Sequence, residues 1–156
     1  MGILLTIVVA VAIPVTLSLA SEGGALKWEP YFSRPDSEIR GAIDTARQKG
    51  QVVVVDFTAT WCVNCKVLKK TVLDSNAVKA AVTKNGVVLL EADLTSKKTP
   101  GWEYLFSLGQ TAVPTLAIYG PGLDKPLIYN AYTPEVVVDA IKRANGPVLS
   151  SRSTVP

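Results

Sequence analysis

The two cysteines of this 156-residue chain, Cys62 and Cys65, lie in the segment Trp61-Cys62-Val63-Asn64-Cys65-Lys66, directly after a mainly apolar run at 52–57. A pair with this spacing, where a buried strand gives way to a helix, can make and break a disulfide. The attacking species in that chemistry is a thiolate. A cysteine at a helix N-terminus lies near unpaired backbone N–H groups and the positive end of the helix dipole, which both favour the anion.

These considerations predict a role for each cysteine. Cys62 is the expected exposed nucleophile, and Cys65 is the expected buried thiol that resolves a mixed disulfide. Lys66, one turn further on, could add positive potential, but we favour a solvated surface lysine. A structural bridge or two buried thiols would be the alternative to redox chemistry. A disulfide over so short a loop constrains the unfolded chain by only about 2 kcal/mol, so the redox role is preferred.

The composition excludes several other classes of site. The sequence contains no histidine, whereas a Cys–His catalytic pair requires one and a zinc site needs about four ligands. Two cysteines are also too few for a scaffold of several disulfides. The net charge of +3 arises from intermixed acidic and basic residues, which does not indicate a nucleic-acid partner. We expect no metal, and no cofactor other than the Cys62–Cys65 pair itself.

The N-terminal residues predict a membrane segment. Residues 3–20 carry no charge and have nearly the length of a membrane-spanning helix, and such a helix tolerates Pro14 better than a soluble one does. We favour a retained anchor at 1–21 over a cleaved signal peptide, although the small residues at 18–20 would suit cleavage. The segment could also be the last span of a longer membrane protein. A soluble core helix is disfavoured because the run is apolar on every face.

The rest of the chain divides into a tether, one domain and a tail. The tether at 22–35 is polar and contains Gly and Pro. Its Trp28 and Tyr31 could lie at a membrane interface or pack onto the domain. One folded domain follows at 36–147, and 148–156 is expected to be a flexible tail.

The apolar patterning of the domain predicts an α/β fold with the order α-β-α-β-α-β-β-α. Strands are predicted at 51–57, 87–93, 114–119 and 127–132, with helical segments starting near 36, 62, 76, 99 and 133. Two parallel strands joined by helix, followed by a hairpin and a closing helix, give a central mixed sheet covered by helices on both faces. We interpret Trp102, Tyr104 and Phe106 as mainly packing residues.

Two segments resemble the thioredoxin superfamily: residues 55–66 resemble its active-site segment, and residues 111–115 resemble its cis-proline loop. The form Phe-Thr-Ala-x-Trp-Cys-Val-x-Cys-Lys is most similar to the C-terminal periplasmic domain of the DsbD family of thiol:disulfide interchange proteins. The resemblance covers about residues 28–145. It does not include that family's electron-carrying membrane core, and Lys69 stands where some relatives have an acidic residue.

The resemblance implies a thioredoxin-like fold and four further site residues. Asp56 would lie beneath the cysteines and shuttle the proton of Cys65. Its apolar neighbours should raise its pKa, and the alternative is a strand-end aspartate that reaches solvent. A cis Val113–Pro114 bond would face Cys62 and present the backbone of Val113 to a substrate, the alternative being a trans proline at a strand start. Trp61 would belong either to the substrate-binding surface or to the core.

The leading functional hypothesis is a membrane-tethered reductase on the extracytoplasmic side, which passes electrons from a membrane partner to protein disulfides. The domain would be periplasmic or secreted if the N-terminus is cleaved. A disulfide oxidase or isomerase is the second hypothesis, because the residues between the cysteines do not give the reduction potential that sets the direction. A non-catalytic binding or assembly module is the third. A cytosolic thioredoxin is disfavoured because residues 3–20 would then have no purpose.

Overall fold

A computed structural model describes residues 26–30 and 34–147, which form a five-stranded mixed sheet flanked by helices. The strands are β1 (Glu29–Pro30), β2 (Val53–Thr58), β3 (Val88–Asp93), β4 (Thr115–Tyr119) and β5 (Leu127–Tyr129). The helices are α1 (Asp36–Gln48), α2 (Val63–Leu68), α3 (Asn76–Asn85), α4 (Gly101–Ser107) and α5 (Pro134–Ala144), and a π-helix at Lys69–Leu73 continues α2.

The sheet has the strand order β1-β3-β2-β4-β5. Strand β2 is parallel to β3 and antiparallel to β4, and β4 is antiparallel to β5. All of β2 except its last residue is buried, because helices cover both faces of the sheet, and its apolar residues therefore run without alternation. The register places Asp56 opposite Glu91 in β3 and Leu116 in β4.

Two apolar cores lie on opposite faces of the sheet because successive strand side chains point to opposite sides. One core contains Phe57 with residues of α1 and α4. The other contains Val54 with residues of the π-helix, α3 and α5. Asp56 follows Val54 with the strand period of two, so its carboxyl faces the second core and the helical segment that begins after Cys62.

Helices α3 and α5, which frame this second core, begin where the sequence predicts. Ser75 caps α3 by accepting a hydrogen bond from the backbone of Val78, and α3 ends at Gly86 in the left-handed conformation. Thr133 caps α5 in the same way, with Pro134 at the first helical position. A Cβ added to Gly120 would lie only 2.2 Å from the backbone oxygen of Ala144, so the chain beyond β4 packs directly onto the end of α5.

Several expectations require correction. Strand β1 lies inside the predicted tether and pairs with β3 at the edge of the sheet, where a proline is tolerated. The sequence did not predict it, because two residues are too few to show the periodicity of a strand. Strand β5 ends at Tyr129 because Asn130 turns to bond the side chain of Thr115. Phe106 packs against Trp102, with ring centroids 5.7 Å apart, but it is 54% exposed and therefore lies at the surface rather than in the core.

The predicted anchor at 1–21 and tail at 148–156 lie outside the described residues. Within the described part of the chain, every helix is too short or too polar to cross a membrane.

Candidate active site

Cys62 and Cys65 form a disulfide at the start of α2, with their Cα atoms 5.3 Å apart. Cys62 is the N-cap of the helix, and its Sγ accepts a hydrogen bond of 3.2 Å from the backbone N–H of Cys65. The first turn of α2 contains no acidic residue. A negative charge on the Cys62 sulfur would therefore be stabilised by the helix N-terminus and by a backbone donor that already points at it.

The burial of the pair differs from expectation. Cys62 is only 6% exposed and Cys65 only 3%, so the prediction of an exposed Cys62 is wrong for the bonded state. The physical reason is that Cys62 and Cys65 form a buried cluster with Ala59, against which Val113 packs. The chain neighbours Trp61 and Val63 are well exposed, at 58% and 70%, and Lys66 is also on the surface.

Trp61 belongs to the surface rather than the core, which resolves its two alternative placements. Its indole Nε1 donates to the backbone oxygen of Thr95 at 3.3 Å, and the backbone N–H of Thr60 donates to Thr95 Oγ1 at 2.8 Å. Thr95 is held in turn by the carboxylate of Asp93. The sequence patterns did not single out Thr95. The available signal was that this polar residue comes just after β3, and the C-terminal end of β3 lies beside that of β2, which leads to the cysteines.

The loop before β4 packs against the disulfide. The Val113–Pro114 peptide bond is cis, as the resemblance implied, and Val113 packs against the cysteine pair. Thr115 Oγ1 donates to the backbone oxygen of Ala112 at 2.8 Å and accepts from Asn130 Nδ2 at 2.8 Å. These side-chain hydrogen bonds fix the loop. The sequence did not predict that Thr115 and Asn130 would donate them.

Asp56 is the buried carboxyl of the site, with an exposed fraction of 2%. Burial raises its pKa from the ordinary 3.8 to about 6, while the charge of Lys69 and its hydrogen bond act in the opposite direction. The alternative of an aspartate that reaches solvent is therefore wrong.

Lys69 connects Asp56 to a second carboxylate. Its Nζ is 3.8 Å from Asp56 Oδ2, and it also contacts Glu91. Lys69 follows Cys65 by four residues, so the two side chains lie on the same side of the helical segment. Asp56 therefore lies beneath the segment that carries Cys65. From the sequence, Lys69 stood out only as a departure from relatives, and Glu91 did not stand out at all; the register of β2 and β3 brings Glu91 beside Asp56.

Two aromatic residues complete the surroundings of these charges. The ring centroid of Trp28 lies 5.0 Å from Lys69 Nζ, so Trp28 packs onto the domain. Tyr132 is buried, and desolvation and the charge of Asp56 raise its pKa. No group of three or more possible metal ligands occurs among residues 26–30 and 34–147.

Comparisons with known proteins place this geometry in a family. Residues 35–121 match the model of a family described as thioredoxin-like. The thiol:disulfide interchange protein DsbD of Pseudomonas fluorescens is 38% identical over 85 residues, which are 54% of this chain and 14% of that protein. DsbD of Vibrio cholerae is 34% identical over 83 residues, which are 53% of this chain and 14% of that protein.

Among solved structures, the reduced C-terminal domain of Neisseria meningitidis DsbD matches with a TM-score of 0.55 and 22% sequence identity, over 73% of this chain and 99% of that domain. This likeness shows the fold.

The segments shared with the two curated DsbD proteins are a small part of their length. The family match itself covers more than half of the chain and contains Asp56, the cysteine pair and Val113–Pro114. The chain therefore belongs to the thioredoxin-like family.

Proposed function

We propose that this chain is a thiol–disulfide oxidoreductase that reduces disulfides in other proteins through Cys62 and Cys65. The observation that carries the proposal is the disulfide in the first turn of α2, where Cys62 caps the helix. A sulfur at this position is stabilised as a thiolate. The likeness to DsbD sequences around the pair supports the same chemistry.

The first step uses the reduced pair. The Cys62 thiolate attacks one sulfur of a substrate disulfide, and a bond forms between Cys62 Sγ and that sulfur. The substrate S–S bond breaks, and its other sulfur leaves as a thiolate that takes a proton from water. Trp61 and the backbone of Val113 are the proposed contacts for the substrate chain, because one is exposed beside the pair and the other packs against it.

The second step uses Cys65 and Asp56. Cys65 gives its proton to the Asp56 carboxylate, and the resulting thiolate attacks Cys62 Sγ. The Cys62–Cys65 bond forms, the mixed disulfide breaks, and the second substrate sulfur leaves as a thiolate. The substrate has then gained two electrons. A carboxyl with a pKa of about 6 suits this transfer, because at neutral pH it is mostly ionised but still takes up a proton readily.

We further propose a membrane-tethered reductase on the extracytoplasmic side, with a membrane dithiol protein as electron donor. The uncharged residues 3–20 support the tether. Attack by the donor on the Cys62–Cys65 disulfide would restore both thiols and leave the donor oxidised, so the electrons balance over the cycle.

The trapping experiment for this proposal is a matched pair of variants in the full chain. Cys65→Ser should accumulate a mixed disulfide between Cys62 and a protein substrate, because the resolving thiol is missing. Cys62→Ser should accumulate none. The captured partners are identified by mass spectrometry after reduction. The opposite pattern would reverse the two roles, and no capture together with no turnover in a dithiol-driven assay would favour a binding module.

The direction of exchange is tested by equilibrating the pair with glutathione buffers. A reduction potential near −270 mV, roughly that of thioredoxin, supports the reductase, whereas one near −120 mV indicates an oxidase.

A further inference from the structure

The ammonium group of Lys69 is surrounded by residues from separate parts of the fold. Asp56 in β2 and Glu91 in β3 supply its two carboxylate partners, and the ring of Trp28 supplies an aromatic face 5.0 Å from Nζ. Tyr132, just before α5, is also buried, and desolvation, together with the charge of Asp56, raises its pKa. The Cys62–Cys65 pair lies on the preceding turns of the same helical segment.

The sheet register explains why a cation is needed here. Asp56 and Glu91 are Cα partners in parallel strands, so their side chains leave the same face of the sheet with Cα atoms roughly 5 Å apart. Two carboxylates at such a separation repel each other, and Lys69 between them offsets the repulsion. A lysine side chain is long and flexible, and that of Lys69 is 29% exposed, so it also has a route into water.

Trp28 closes part of that route. Its side chain is half-buried and packs, with Leu26, against the apolar core that contains Val54. The indole Nε1 is buried and has no hydrogen-bond partner among the described residues. Packing and the contact with the cation therefore hold the ring in place. An aromatic face within about 6 Å attracts an ammonium group, most strongly where water is excluded.

We propose that Trp28 is a positioning residue for the exchange reaction, because its ring holds the Lys69 ammonium between the carboxylates of Asp56 and Glu91. This inference rests on the proposed function. It gives the segment at 26–30, which precedes the family match, a part in the chemistry of the cysteine pair.

The expected consequence follows from the charge of Lys69. While Lys69 is held in place, it favours the ionised form of Asp56, which is the form that accepts the proton of Cys65. Without the Trp28 ring, Lys69 reaches solvent more often and Asp56 stays protonated to higher pH. The second step of the reaction then requires a higher pH.

The first measurement is a carbon-13 NMR titration of the Asp56 carboxyl in the oxidised full chain, without substrate. We expect Trp28→Ala to raise the titration midpoint by about 0.5 to 1 pH unit, and Trp28→Phe to raise it less. Trp102→Ala is the matched control, because it removes a half-buried tryptophan from the other face of the sheet and should leave the midpoint unchanged. Trp28→Leu replaces the alanine variant if the latter does not fold.

Lys69→Met tests whether the ring acts through the cation. It should raise the Asp56 midpoint at least as much, and adding Trp28→Ala to it should cause no further rise. An unchanged midpoint in Trp28→Ala, or an additive rise in the double variant, would overturn the inference. Because this titration needs no turnover, its outcome is independent of whether the proposed function holds.

The second measurement connects the cluster to the reaction. The glutathione mixed disulfide of Cys62 is formed with oxidised glutathione, and the release of glutathione by Cys65 is followed across pH. Trp28→Ala should shift this pH profile in the alkaline direction, with up to about tenfold slower release on its acidic limb. A profile that stays in place while the Asp56 midpoint moves would show that Trp28 does not position the reaction.

Discussion

Replacing Asp56 by Asn should stabilise the oxidised protein at neutral and alkaline pH. The carboxyl is 2% exposed, and its pKa is about 6 in the fold against an ordinary value of 3.8. The folded protein therefore binds the Asp56 proton more tightly than the unfolded chain does. Wild-type stability from this group is fully present below about pH 4 and is lost as the pH rises through about 6.

The size of the effect follows from the two pKa values. A difference of about two pKa units, at about 1.4 kcal/mol per unit, corresponds to about 3 kcal/mol. Asn does not ionise, so the free energy of unfolding of Asp56→Asn, minus that of the wild type, should grow by this amount from acidic to alkaline pH. Lys69 keeps Glu91 as its partner in the variant, so the substitution does not leave the Lys69 ammonium without a carboxylate partner.

The assay is urea unfolding of the oxidised chain, followed by circular dichroism between about pH 4 and pH 8, the range in which most of the difference should appear. Taking the difference between variant and wild type cancels the pH dependence of groups that do not interact with Asp56. Asp139→Asn, at a carboxyl 67% exposed on α5, is the control for a surface substitution. A variant-minus-wild-type difference that is the same at both ends of the pH range would contradict this prediction, because Asp56 would then ionise as easily in the fold as in the unfolded chain.

Four further substitutions test the packing, the caps and the surface. Gly41→Ala in α1, where a Cβ meets nothing within 4 Å, should raise the free energy of unfolding by about 0.5–1 kcal/mol. Gly120→Ala should lower it by more than about 2 kcal/mol, because its Cβ would meet the backbone of α5. Thr133→Ala should cost about 1 kcal/mol through the lost cap of α5. Urea unfolding checks all three, and equal effects at the two glycines would contradict the packing at Gly120. Trp61→Ala should leave stability within about 1 kcal/mol, since the ring is exposed, but slow the reduction of protein disulfides more than that of oxidised glutathione. Equal slowing in this kinetic comparison would exclude a contact with the protein substrate.

The features that could be predicted from the sequence are local. The cysteine spacing, the apolar run before it and the starts of α3 and α5 are each contained within a few consecutive residues, and the structure contains the corresponding elements. The raised pKa of Asp56 follows in the same way, because its immediate chain neighbours already indicate a buried strand.

The features that were missed depend on contacts distant in sequence. The contact between Lys69 and Glu91 depends on which β3 residue lies opposite Asp56. The sequences of two strands do not by themselves reveal the register in which the strands pair. The low exposure of Cys62 arises from Val113, which a separate loop brings against the disulfide. The surface position of Trp61 depends on its hydrogen bond to Thr95 in the loop after β3.

The edge strands of the sheet affect how readily this protein aggregates at high concentration. Strand β1 has two residues and includes Pro30, and β5 has three residues. Long flat strands at a sheet margin recruit strands from other chains and start aggregation, whereas short margins and proline discourage it. The six-residue strands β2 and β3, with their many Val and Leu side chains, both lie inside these margins. The folded domain therefore keeps its most aggregation-prone segments away from neighbouring molecules.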